Sequence, residues 1–235
     1  PHGEYGAAFG EAGALFDVET FARIGAALAV LHHGKADLPA GKTATPSAAL
    51  TDLAMLLPDL AGRIRNIRTA LALSQSTGPL VPCHGDFSAD QVMVAEDGTL
   101  TIVDWDEAGL ADPAQDLGSF LARLDHDMLT GTPTNDLAVA FLDGYGALPA
   151  NLAAHHAAAL AALATEGFRT RCNNWPDLAR RLLDRIEQIL PAVDPLHIAV
   201  DPAQMTRLSG LSIDAARMIR HKPGKRALFL YDEQV

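Results

Sequence analysis

Apolar residues first recur at helical spacing in DVETFARIGAALAVLHH (17–33), where Phe21, Ile24, Ala27, Leu28 and Leu31 share a face. Asp17 reads as the N-cap and Gly34 as the stop. His32 and His33 close the helix, where positive charge is favoured. A polar loop, ADLPAGKTATPS (36–47), comes next. A second helical stretch covers 48–73, with a break expected at Pro58, whose ring cannot continue a helix. The period changes after Gly78-Pro79. Residues 80–83 form a short apolar run, and 92–94 and 99–103 are two more. Glu96-Asp97-Gly98 supplies a tight turn between the last two and predicts a hairpin.

Asp112-Pro113 opens the next helix, as N-cap and first helical residue, with Leu117, Phe120, Leu121 and Leu124 as its apolar face. Further helices are expected over 134–145, 152–169 and 176–190. The alanine-rich run 153–163 calls for close helix packing, and His155 and His156 are expected at the surface. After Pro191 the pattern loosens into a linker-like stretch punctuated by Pro195 and Pro202. Residues 213–219 suit either strand or helix, HKPGK (221–225) reads as a turn, and ALFLY (227–231) as a strand. The fold class expected is α+β, mostly helical.

Composition adds exclusions. The chain has 235 residues, 49% of them hydrophobic, enough for one large domain or two small ones. A net charge of −11 argues against a nucleic-acid partner. Arg217, Arg220, Lys222, Lys225 and Arg226 form a local basic exception. Cys83 and Cys172 are too few and too far apart for a disulfide framework or a zinc site. No apolar run approaches the ~20 residues of a membrane helix. A cytoplasmic protein without a membrane partner is expected, although the sequence opens at Pro1 without a methionine, leaving a removed leader open.

The chemistry concentrates in CHGDFSADQVMVAEDGTLTIVDWD (83–106). Asp86 and Gln91 lie five residues apart on the loop between two strands. The hairpin returns the chain so that Asp104 can approach Gln91. Two carboxylates and an amide around one space suit Mg²⁺ bound to phosphates, and a spare carboxylate can accept a hydroxyl proton.

HGDFSADQ (84–91) followed by IVDWDEAGLADPAQDL (102–117) resembles the aminoglycoside phosphotransferase family, whose fold is related to that of protein kinases. The resemblance runs over roughly 11–190 and includes the helix ending in ALAVLHH and the segment FLDGYGAL (141–148). It implies ATP and Mg²⁺ as cofactors and a small-molecule hydroxyl acceptor as partner. It places Asp86 as the catalytic base, His84 as the brace of the catalytic loop, and Asp104 and Gln91 as metal ligands. Asp106 is a candidate for metal or substrate contact. Asp112 and Asp116 fall on structural positions, one a helix cap and the other a buried bracing carboxylate.

Two departures stand out. Gln91 occupies a slot usually held by Asn, and its extra methylene opens the alternative of a pseudokinase that binds nucleotide without turnover. No glycine-rich phosphate loop with a strand lysine is present, and the C-terminal segment ARMIRHKPGKRALFLYDEQV resembles the start of an N-lobe. Lys222 and Lys225 there are candidates to face phosphate. The division expected is a kinase-like C-lobe over 1–192, then a linker and β-hairpin segment over 193–235. That order suggests a fragment of a larger polypeptide with a second kinase-like module, inactive in isolation. A metal-dependent hydrolase using His84 and the aspartates is a third reading, and one loop offers it too few histidines.

Overall fold

The computed structural model describes residues 17–41, 47–74, 78–95, 97–190, 201–209, 211–222 and 226–233. Helix α1 (Val18–His33) starts where expected, because Asp17 Oδ1 accepts the Thr20 amide at 2.8 Å. It packs across α5 (Asn135–Tyr145). Gly25 and Gly144 make that crossing close. A methyl group at Gly25 would strike the Phe141 carbonyl, and one at Gly144 the Ala22 carbonyl.

The anticipated break at Pro58 separates α2 (Ser47–Leu56) from α3 (Ala61–Ser74), with a 3₁₀ turn at Pro58–Leu60 between them. Strands β2 (Val92–Val94) and β3 (Leu100–Ile102) form the predicted hairpin, with Val92 opposite Ile102. Strand β1 (Val81–Cys83) pairs instead with β4 (Gly109–Ala111), where Val81 faces Ala111. The GLA segment of β4 has no β-branched or aromatic residue to announce it; its ladder partners lie far back in the chain, before the whole β2–β3 hairpin. Ala40 adds a parallel bridge to Leu110 on the free side of β4.

Asp112 and Pro113 begin α4 (Pro113–Thr130). Helix α6 (Leu152–Ala162) lies so near α4 that a Cβ at Gly118 would stand 2.6 Å from the His155 carbonyl carbon. The alanine-rich run therefore packs closely, as expected. The single helix foreseen over 152–169 is divided by a 3₁₀ turn at Leu163–Thr165 before α7 (Glu166–Arg169). Helix α8 (Trp175–Ile189) completes the bundle.

Two apolar clusters result. One gathers α1, α4, α5 and the β1–β2 loop around Phe21, Phe87, Phe120 and Phe141, with the last two rings stacked 3.9 Å apart. The other joins α2, α3, α6 and α8. Burying these side chains is the main drive to fold, at ~25 cal/mol per Å² of apolar surface.

His155 and His156 are not surface residues. His156 is only 8% exposed, because α6 turns it toward α4, and its Nε2 lies 2.8 Å from Asp125 Oδ2. Arg185 of α8 donates to the same oxygen at 2.8 Å. Asp125 thus ties three helices. Burial alone would raise its pKa, but the bonds from His156 and Arg185 outweigh burial and hold it below the usual carboxylate value.

The stretch read as a linker contains a helix, α9 (Pro202–Ser209), capped by Asp201, whose Oδ1 accepts the Ala203 amide at 2.9 Å. It packs on α3 and on β5 (Ile213–Lys222). β5 settles the ambiguity at 213–219 in favour of strand, since it pairs antiparallel with β6 (Arg226–Glu233). No helix among the described residues is long and apolar enough to cross a membrane.

Gly144→Ala is expected to cost about 1–3 kcal/mol, because neither backbone at the α1–α5 crossing can retreat freely; a lowered urea midpoint checks it. The depressed pKa of Asp125 contributes stability that is present above the usual carboxylate value of 3.8 and is lost as pH falls through its lower folded value. Asp125→Asn removes that contribution, so the stability gap between the two proteins, read from urea midpoints, should narrow as pH drops below 3.8.

Candidate active site

The loop after β1 is held from beneath by one carboxylate. Asp116, fully buried in the first turn of α4, accepts the His84 amide through Oδ2 at 2.7 Å and the Gly85 amide through Oδ1 at 2.8 Å. His32, at the end of α1, adds a third bond from Nε2 to Oδ2 at 3.1 Å. A neutral ring donating there accepts through Nδ1 from the Tyr145 hydroxyl, 3.0 Å away. Burial raises the Tyr145 pKa to about 12, reinforced by the carboxylates of Asp116 and Asp112, so the phenol keeps its proton.

Gly85 lies at φ +93°, and a side chain there would strike the Glu107 carbonyl. This tight left-handed step turns the chain so that Asp86 is exposed. Phe87 plunges back into the core and stacks on Phe120 at 5.4 Å.

Gln91 ends a 3₁₀ turn (Ala89–Gln91), and its carbonyl accepts the Val103 amide at 2.9 Å. On the other side His84 donates from Nε2 to the Val103 carbonyl at 2.8 Å. Val103 is therefore clamped between the two ends of the loop, and Asp104 follows it directly. Asp104 adopts φ +65°, a left-handed conformation that Asp tolerates better than most residues. Its carboxylate is exposed, like that of Asp86. The hairpin thus sets the Gln91 backbone against Val103, the residue before Asp104.

The remaining candidates divide. Asp106 sits in the exposed turn after Asp104, outside that clamp. Trp105 folds back, with its Nε1 donating to the Ile102 carbonyl at 2.9 Å and its ring 5.0 Å from that of His84. Asp112 is a full structural hub: Ala114 N, Gly78 N and Asn151 Nδ2 all donate to it, at 2.9, 2.7 and 2.7 Å. Lys222 pairs with Arg226 in the tail hairpin, and its side chain, like Lys225 as a whole, lies outside the described residues.

Three residues had no signal in the sequence. His32 reads as a helix-end charge, yet its partner lies 84 positions away. Arg123, from α4, donates to both oxygens of Glu166 at 3.0 and 3.1 Å. Asp90 has a raised pKa, through partial burial first and then the nearby charges of Asp127, Asp86 and Glu166, against the lowering pull of Arg123.

A helical lobe with a braced loop of this kind, set against short hairpins, defines a protein-kinase-like small-molecule kinase fold. Choline kinase LicA from Streptococcus pneumoniae superposes with a TM-score of 0.51 at 14% identity, over 73% of this chain and 63% of its own. A choline/ethanolamine kinase family protein from Mesorhizobium loti gives 0.47 at 20% identity, over 81% and 64%. Spectinomycin phosphotransferase, solved with ADP and spectinomycin, gives 0.46 at 16%, over 80% and 68%. The chain spans about two thirds of the length of each. The sequence pattern of the phosphotransferase enzyme family (APH) matches residues 11–166, and the chain belongs to that family.

Asp116→Ala would orphan two buried amides and His32 together. A loss of about 3–5 kcal/mol is expected in urea unfolding, with fast hydrogen exchange at the His84 and Gly85 amides.

Proposed function

We propose that the protein transfers the γ-phosphoryl group of ATP to a hydroxyl of a small molecule. The observation that carries this reading is the loop geometry. Asp86 is exposed on a braced turn, while Val103, bonded to Gln91 and His84, carries the exposed Asp104 directly after it. Membership of the phosphotransferase enzyme family supports the reaction class.

The donor set fits Mg²⁺. Asp104 offers an exposed carboxylate and Gln91 an amide oxygen, both hard ligands. These two residues would hold the ion, which when bound neutralises the charge of the phosphates. Gln91 keeps the oxygen that Asn would supply and places it one methylene further out, so an adjusted backbone position is needed.

The acceptor hydroxyl oxygen forms a bond to the γ-phosphorus as the bond to the ADP oxygen breaks. Asp86 orients the hydroxyl and takes its proton. Asp116 contributes by fixing the loop before any substrate arrives, so that little reorganisation is left for the reaction. The phosphate-covering elements, and a second kinase-like module in the same polypeptide, belong to this reading of the full-length protein; residues 1–235 alone should turn over little ATP.

Asp86→Asn in the full-length protein should lower kcat by about 10²–10⁴-fold with nucleotide binding retained. Product formation is followed by mass spectrometry and nucleotide binding by calorimetry. Unchanged turnover in this variant would remove Asp86 as the base; nucleotide binding without any turnover by the unmodified full-length protein would favour a nucleotide-binding module.

A further inference from the structure

A cavity of about 1180 Å³ opens beside Asp86, between the β1–β4 ladder and helices α3, α4 and α6, with α9 at its edge. It exceeds the usual range of small-molecule sites. Its position makes it the place where an acceptor would reach the carboxylate, and its assignment as the acceptor site rests on the phosphotransferase reading.

The wall is largely apolar. Leu71, Leu110, Ala158, Ala159, Ala162 and Leu163 contribute hydrocarbon, and α6 presents its alanine-rich side. Among the described lining residues there is no Phe, Tyr or Trp. A quaternary ammonium group would find no cage of aromatic faces here.

The charged groups point the same way. Two carboxylates line the cavity, Asp86 and Asp112. Asp112 accepts from the Ala114 and Gly78 amides and from Asn151, all neutral donors, so its charge remains. Two guanidinium groups, Arg123 and Arg207, line it as well. His155, beside Asp112, has its pKa lowered by burial, which the Asp112 charge only partly opposes. Asp90, Asp127 and Glu166 stand near Arg123 but are not lining residues, and Glu166 is bonded to that arginine. The described wall thus sets two carboxylates against two guanidinium groups, and it carries no excess negative charge to offset the water that an ammonium-rich compound would lose.

We propose that the acceptor is an uncharged hydroxyl compound with an extended apolar face, and not an aminoglycoside or a choline-like amino alcohol. The apolar body would lie on the α6 alanines, with its hydroxyl presented to Asp86. Ser119, also in the wall, is a neutral polar group that can orient it.

The full-length protein is tested with Mg²⁺ and ATP on three probes: octyl β-glucoside below its micelle concentration, kanamycin and choline. Binding of each is also measured by calorimetry in the presence of ADP, independently of turnover. The expected order is the glucoside ahead of both cations by about tenfold or more in Kd and in kcat/KM. Ala162→Trp, at an exposed position of the wall, should weaken glucoside binding by about fivefold or more. Tighter binding or faster phosphorylation of kanamycin or choline overturns the proposal and leaves the phosphotransferase reading intact. Failure of the glucoside to bind, or unchanged binding in Ala162→Trp, also overturns it. Glucoside binding in the expected order with no phosphorylation of any probe supports the cavity's chemistry and counts against phosphoryl transfer.

Discussion

One buried carboxylate organises the half of this molecule that carries the candidate site. Asp116 reaches back from α4 to two consecutive amides of the β1–β2 loop and to His32 at the end of α1. A carboxylate with no exposure survives in an apolar interior only when such donors compensate its lost hydration. The same compensation removes the freedom of the loop. Gly85 must take its left-handed turn, Phe87 must enter the core, and Asp86 is left facing outward between two fixed neighbours. Stability and site geometry are here consequences of one set of bonds.

A second constraint completes the site. Val103 is held on one side by Gln91 and on the other by His84, whose backbone amide is itself bonded to Asp116. A shift of the brace would therefore reach Val103, and with it Asp104, through His84. The brace also connects to the aromatic stack through Phe87 and Phe120, so the packing around α1 and α5 supports the loop from behind. The residues offered to solvent, Asp86 and Asp104, are the ones that leave the brace with open carboxylates.

The cavity beside Asp86 depends on a different feature. The alanines of α6 and the close α4–α6 approach at Gly118 keep side-chain volume low along one wall. Large residues there would fill the space. An alanine-rich helix thus does two jobs: it lets two helices approach closely on one side and leaves room on the other.

Much of this was legible in the sequence. Helical periodicity, the Asp17 and Asp112 caps, the Pro58 break and the Asp97-Gly98 hairpin are local, and short-range physics specifies them. The spacing of His84, Asp86, Gln91 and Asp104 was equally readable, because one loop and one hairpin contain it. The sequence could also say that Asp116 was a buried brace, through resemblance, but not what it braced. Strand β4, the burial of His156 beside Asp125, the bond from His32 to Asp116 and the cavity wall were decided only in three dimensions. Each joins residues far apart in the chain, and none leaves a periodic or turn signal behind. An aspartate that accepts backbone amides and one that accepts a hydroxyl proton are the same letter; their neighbours in space set them apart.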